Sequence, residues 1–294
     1  MSTAEAEAAR QAASPEMNIP AAATTIQTNL APDTSKYNAA DPELREAAAL
    51  LASGLKAESV QAEEAIWTRV IDTYGGLDRA WVPDVVGRAW ANRGNARSRQ
   101  GRMTGALSDY NESIRICPWA TDPVLNRGVV LEALGRFVEA ERDYRVVLAV
   151  APEDPSAWNN LGNATAGQGR WEEALGYYGE AVERSPAFAF ATANRALAMY
   201  QLGRKNEAMR EMRTLLRRYP DFMDMRAALV GALWNEGIEG EAESNWERVD
   251  DYRYKDPVWL RYDRRWPPSI RSGLEAFLEL RSVPLLPAPS STAA

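Results

Sequence analysis

One residue type recurs at a spacing that suits a particular chemistry. Asn92, Asn126, Asn160 and Asn194 are each separated by 34 residues. Each amide carries an acceptor and two donors, so one side chain can pair with both the C=O and the N–H of an extended peptide. Such a row would hold a main chain whatever its side chains. Beside these asparagines stand Arg93, Arg127, Leu161 and Arg195. Three guanidinium groups along one edge would favour acidic side chains or a terminal carboxylate. Asn95 and Asn163 are secondary candidates on the same segments. The competing reading is structural: the same residues could tie neighbouring repeats together by hydrogen bonds and salt bridges.

Reactive chemistry is much less well provided for. The chain of 294 residues has no histidine and one cysteine, Cys117. Hydrolytic mechanisms that rely on histidine are therefore excluded, and neither an internal disulfide nor a cysteine–histidine metal cluster can form. Cys117 precedes Pro118 at an expected helix end and reads as a small half-buried residue. Glu172 and Glu173 are adjacent, so on a helix they point apart and cannot share a proton. Gly167-Gln168-Gly169 lacks the third glycine and the preceding strand of a dinucleotide site. Asn111-Glu112-Ser113 and Asn163-Ala164-Thr165 match the glycosylation acceptor pattern but fall in predicted helices. The expectation is a protein without enzymatic activity or cofactor.

The elements that must carry the asparagines follow from the same period. Gly101, Gly135, Gly169, Gly203 and Gly237 recur every 34 residues, as do Ala106, Ala140, Ala174, Ala208 and Ala242. Pro118, Pro152, Pro186 and Pro220 keep the step, and so do Gly94, Gly128 and Gly162. Tyr110, Tyr144 and Tyr178 continue as Met212 and Trp246. Each column has a task in a pair of antiparallel helices. The turn glycine takes the left-handed conformation that ends the first helix, and the proline stops the second. Small residues allow close backbone approach while the aromatic fills the space left over.

Windows 87–120, 121–154, 155–188 and 189–222 resemble the tetratricopeptide-repeat family. The third matches most fully, with Trp158, Leu161, Gly162, Ala174, Tyr178, Ala181 and Pro186 at the pattern positions. The resemblance implies an all-α, right-handed solenoid of helix-turn-helix repeats whose first helices line a concave groove, where a protein or peptide partner would bind. The asparagine row is similar to the ladder of the O-linked N-acetylglucosamine transferases, whose repeats grip peptides this way. This chain has no glycosyltransferase domain, so only the gripping would carry over. A carboxylate clamp for chaperone tails is only partly matched. Asn95 and Asn126 fit it, but Ala91, Ser156 and Asn160 stand where cations would be needed.

The expected organisation has a flexible tail over 1–40, then a degenerate first repeat with an inserted loop over 41–86, the loop being Gly75–Val86. Four regular repeats fill 87–222 and a divergent fifth fills 223–250. A basic, aromatic segment over 251–281 caps the array, with a helix from Pro268 carrying Ile270, Leu274, Phe277 and Leu278 on one face. A second flexible tail covers 282–294. The run Arg265-Trp266-Pro267-Pro268 before a Leu/Phe helix resembles the ending of cyanobacterial and plastid repeat proteins. That resemblance implies a chloroplast protein of photosynthetic-membrane biogenesis, with thylakoid association as one option; without it the expectation is a cytoplasmic protein.

Overall charge is −7. The acidic repeat body argues against nucleic acid as the partner. The concentration of Arg253, Lys255, Arg261, Arg264, Arg265 and Arg271 among aromatics leaves peripheral membrane contact through 251–281 open. No apolar run is long enough to span a bilayer. The leading expectation is a scaffold or assembly factor. A docking subunit that regulates an enzyme, and an RNA-binding helical repeat protein, are the alternatives.

Overall fold

The turn glycines set the architecture. Gly101, Gly135, Gly169, Gly203 and Gly237 all have positive φ, between 71° and 82°, which side-chain-bearing residues adopt at a cost. Around each, the residue after the glycine donates its N–H back to a carbonyl five residues earlier, as in Arg102 to Arg97 at 2.9 Å and Ile238 to Leu233 at 3.0 Å. This closes the open carbonyls of the first helix and turns the chain directly into the second.

The computed structural model describes residues 25–282, and the remainder of the two expected tails lies outside them. Thirteen α-helices follow in order among the described residues: α1 Pro42–Gly54, α2 Val60–Tyr74, α3 Val82–Arg99, α4 Met103–Ile116, α5 Asp122–Ala133, α6 Phe137–Val150, α7 Pro155–Gly167, α8 Trp171–Arg184, α9 Ala189–Gln201, α10 Lys205–Arg218, α11 Met223–Asn235, α12 Glu239–Trp246 and α13 Pro268–Ser282. The described residues contain no strand. No helix among them is long and apolar enough to cross a membrane. The chain divides into two compact units at Arg170/Trp171.

In the amino-terminal unit, helices α1 to α7 pack in sequence-adjacent pairs. The recurring glycines of the first helices make room for tyrosines of the second. A Cβ on Gly94 would lie 2.8 Å from the Tyr110 ring, and one on Gly128 would lie 2.6 Å from the Tyr144 ring. The alanines Ala106 and Ala140 are fully buried beside them. The degenerate repeat α1–α2 buries Trp67, Val70 and Tyr74 against Val82, Val85 and Val86 of α3.

Two sequence expectations need correction here. The loop predicted over Gly75–Val86 ends at Trp81, because Pro83 falls in the first turn of α3, where its missing N–H costs nothing. Residues 25–40 also do not form a free tail. Ile26 is buried, and the N–H of Gln27 donates to the Pro118 carbonyl at 2.8 Å. Two short 3₁₀ turns, Thr28–Leu30 and Thr34–Lys36, complete this segment.

Polar contacts join α2 to the start of the regular array. Glu64 accepts from Arg97 at 3.0 Å and from Gln100 at 2.9 Å, and Arg102 also contacts it. Burial alone would raise this carboxyl, but these donors outweigh it and hold Glu64 below its ordinary 4.5. A depressed carboxylate contributes stability above its unfolded pKa and loses it as pH falls through the lower folded value. The melting temperature of the chain is therefore expected to fall below roughly pH 4.5. Glu64→Gln should flatten that part of the profile, which calorimetry across the acid range checks.

In the carboxy-terminal unit, α9 packs on α8 and α10, and α11 packs on α10 and α12. Ala174, Ala208 and Ala242 are again fully buried, with Met212 in the aromatic column. α11 is unusual in being buried on every side, from Asp224 through Leu233. What covers its remaining face is the C-terminal arm, residues 251–282. This comprises a 3₁₀ turn at Tyr252–Lys255, a π turn at Trp259–Asp263 and α13. Of the expected face of α13, Ile270, Leu274 and Phe277 are buried and Leu278 is half-buried, and Tyr254, Leu260 and Trp266 join the same core. The interleaved aromatics of this block are thus largely spent inside, whereas Tyr252 remains exposed.

Candidate peptide-binding face

The nine residues singled out by spacing separate into two groups once their surroundings are known. The arginines are structural. Arg93 on α3 is buried and grips Asp109 of α4 through two bonds, Nε to Oδ2 at 3.0 Å and Nη2 to Oδ1 at 2.9 Å. Its guanidinium also stacks 4.4 Å from the Trp90 ring centroid. Arg127 on α5 repeats the contact with Asp143 of α6 at 2.8 and 2.6 Å and adds Asn111 at 2.7 Å. Arg195 on α9 holds Glu211 of α10 at 2.6 Å and is half-buried. The expected rim of free cations is therefore overturned for Arg93 and Arg127. A carboxylate sixteen residues on neutralises each one, and burial removes both from any ligand's reach.

The acids of these pairs were missed, although the signal was present. Asp109, Asp143 and Glu211 occupy one column of the 34-residue repeat, and Tyr177 takes the same place where the arginine column has Leu161. Arginine and acid appear together and are replaced together. Burial pushes the Asp143 carboxyl up against the opposing pull of Arg127.

The asparagines behave differently. Asn92, Asn95, Asn126, Asn160 and Asn163 are all half-buried on the first helices α3, α5 and α7 of the amino-terminal unit. Asn126 Nδ2 donates to Asn95 Oδ1 at 3.1 Å, and the Tyr110 hydroxyl donates to the same oxygen at 2.7 Å. This network bridges two successive repeats and fixes both amides in orientation. Part of the tying role weighed from sequence is therefore real at Asn95 and Asn126. Each still presents its other amide atom. Asn160 Oδ1 accepts from Asn159 at 3.3 Å. Beside this row, Leu125 is half-buried and Val129 is exposed, giving an apolar strip next to the amides. Asn194 is half-buried on α9, in the carboxy-terminal unit.

Amides of first helices do grip a main chain within that second unit. Gln201 at the end of α9 and Asn235 at the end of α11 are one repeat period apart. Gln201 Oε1 accepts from the N–H of Ser269 at 3.1 Å, and Asn235 Nδ2 donates to the C=O of Ser269 at 2.7 Å. Both main-chain groups of one residue are thus satisfied by side chains from successive repeats. Alongside, Asp224 at the start of α11 accepts two bonds from Arg264 at 2.7 and 2.5 Å.

Cys117 offers no reactivity. It is buried, its Sγ donates to the Pro83 carbonyl at 2.8 Å, and burial pushes the thiol up to about 12. A thiol held protonated at neutral pH is a poor nucleophile. Among the described residues there is no group of histidine, cysteine and acidic side chains that could hold a metal ion.

Comparison with known proteins agrees with this architecture. Three tetratricopeptide-repeat models match residues 87–118, 125–189 and 166–233. No curated protein matches the chain. Among solved structures, the Cut9–Hcn1 hetero-tetramer of the APC/C gives a TM-score of 0.61 at 17% identity over 74% of this chain and 42% of that one. A tetratricopeptide-repeat protein from Parabacteroides merdae gives 0.59 at 15% identity, covering 81% and 96%. PilF of Pseudomonas aeruginosa gives 0.53 at 19% identity, covering 68% and 92%. At such identities the likeness is one of fold. From the turn glycines, the paired helices and these matches together, the described residues form all-α helical repeats similar to the tetratricopeptide type, matched by its models over 87–118 and 125–233.

Proposed function

We propose that this protein is a non-enzymatic scaffold that binds an extended segment of a partner protein across the first helices α3, α5 and α7. The observation that carries the reading is the row of half-buried asparagines on those helices, in which Tyr110 and Asn95 orient Asn126, flanked by Leu125 and Val129. The arginines being consumed internally, the face offers amides and apolar surface rather than charge. Such a surface suits a main chain with uncharged side chains better than an acidic tail. Gripping of Ser269 by Gln201 and Asn235 supports the same chemistry. The resemblance of Arg265–Pro268 to plastid repeat proteins supports a role as an assembly factor at the photosynthetic membrane, within the chloroplast.

Affinity purification with and without nuclease, followed by mass spectrometry, tests the class of partner. Survival of a protein partner through nuclease treatment is expected, and its loss would favour RNA binding instead. With that partner, each of Asn92→Ala, Asn126→Ala and Asn160→Ala should weaken binding by about 0.5–1.5 kcal/mol, the net worth of one hydrogen bond. Isothermal titration beside thermal melts of the same variants checks the effect.

A further inference from the structure

The C-terminal arm does more than close the end of the array. A segment that merely capped the fifth repeat would pack on its second helix, α12. Instead α13 touches α12 at Trp246 but lies mainly along the first helix α11 and reaches the preceding first helix, α9. The crossing leaves no room for a side chain at either of two glycines. A Cβ on Gly273 would lie 2.1 Å from the Gly231 carbonyl oxygen, and one on Gly231 would lie 2.4 Å from the Ile270 carbonyl. Glycine at both positions is therefore demanded by the contact.

The remaining contacts have the form of a ligand in a groove. Arg264 meets a buried carboxylate at Asp224. Five residues on, Ser269 gives its main-chain N–H and C=O to Gln201 and Asn235. One turn further, Gly273 crosses Gly231, and Phe277 then packs edge-on to Trp234 and Trp246 at 5.2 and 5.7 Å. Every one of these interactions runs between the arm and the repeats, and none requires the two to be joined. The linker after α12 is exposed at Glu247, Arg248 and Asp250. Docking also carries local costs: Arg265 is held at φ 53°, and Trp266 Nε1 and Ser269 Oγ are buried without a hydrogen-bond partner.

We propose that the face formed by α9 and α11 is a second peptide-docking surface, occupied in cis by the chain's own arm, and that it accepts the arm of another copy of this chain in trans. The ligand it reads is an arginine for Asp224, a main-chain contact five residues later, and a helix with glycine at the crossing and Ile, Leu and Phe on one side. Exchange of this arm between copies is a low-cost route to association, since each exchanged contact replaces an identical one. The proposal is independent of ligand binding at α3, α5 and α7, and it leaves that face as the one open to other proteins.

Eviction of the arm in the full-length chain provides the test. In Gly273→Leu the new side chain collides with backbone, so the arm cannot seat, while α9 and α11 keep their own sequence. A fluorescent peptide of residues 251–282 is expected to bind this variant saturably, and the wild-type chain at least about tenfold more weakly because its own arm competes. The same peptide carrying Gly273→Leu should not bind. Arg264→Glu, which sets two carboxylates against each other at Asp224, serves as a second variant if the first does not fold. Binding restored to the Arg264→Glu chain by the wild-type peptide supports the proposal. A variant that keeps its helical circular dichroism but takes up no peptide overturns it, as does a wild-type chain that binds the peptide equally well. The asparagine variants of α3, α5 and α7 should leave this binding unchanged, so failure here is distinguishable from failure there.

Discussion

Arg127→Ala is expected to destabilise the amino-terminal unit by about 3–5 kcal/mol, because it leaves the Asp143 carboxylate buried without its counter-charge. Both side chains of that pair are almost wholly enclosed, at 3% and 4% exposure. Asp143→Ala should cost a similar amount by removing the guanidinium's counter-charge, which the neutral Asn111 cannot replace. The repeat itself supplies the compensating change. In the next period the two columns carry Leu161 and Tyr177, an apolar and aromatic combination of comparable bulk. The double variant Arg127→Leu with Asp143→Tyr is therefore expected to be far more stable than either alanine variant, within about 1–2 kcal/mol of the parent, since well-packed apolar groups often equal a buried ion pair. Urea unfolding of these three variants checks the expectation, and adding Arg127→Leu and Asp143→Tyr singly closes the cycle and gives the coupling. Two small single-variant losses would mean that Arg127 is not structural and would return it to the list of groove residues.

Gly231→Ala is expected to cost about 3 kcal/mol, at the upper end for overpacking, because the added methyl meets the Ile270 carbonyl and the Leu274 N–H, not a movable side-chain tip. Neither helix can yield without separating α11 from α13, so the loss should appear with exposure of the apolar arm residues. Gly176→Ala provides the contrast in the same unit. It also lies inside a helix, α8, but its Cβ would meet nothing within 4 Å. There the better helix propensity of alanine should raise stability by about 0.5–1 kcal/mol. Thermal melts of the two variants, with a dye that reports exposed apolar surface, read both signs in one experiment.

How much of this was legible beforehand depends on whether a feature is local to one repeat. The turn glycines, the buried alanines and the proline stops act within a single 34-residue unit, so their spacing alone revealed the helix pairs. Gly94 and Gly128 were correctly read as small for packing reasons, and the structure adds that Tyr110 and Tyr144 fill their place. For the arginines the structural alternative weighed from sequence is the one the structure shows, and its partners were missed because only the arginine column was read. Charge at a recurring position looks like a ligand contact until the acid sixteen residues later is placed beside it. Pro83 misled for a different reason, since proline breaks a helix interior but suits a first turn.

The placement of the arm could not be read from periodicity. Its apolar face at Ile270, Leu274 and Phe277 was evident, but which helix would receive it depends on Gly231 and Gly273 meeting, and they lie 42 residues apart outside the repeat register. A lone glycine in a helix carries no signature of its partner. The uniform burial of α11 was equally hidden, since Met225, Leu229, Val230 and Leu233 give no clear polar face to assign. The asparagine row was visible by spacing, yet the network of Tyr110, Asn95 and Asn126 emerges only when two repeats are stacked.

The central claim is that amides on successive first helices hold a partner's main chain. It is tested most directly with a peptide selected from a random library on the immobilised wild-type chain, titrated against a variant carrying Asn92→Ala, Asn126→Ala and Asn160→Ala together. A loss of about 2–4 kcal/mol in affinity is expected, with a melting temperature within a few degrees of the parent. A variant that melts early while its folded fraction binds the peptide as tightly as the parent would contradict it, and would assign the asparagines to architecture alone.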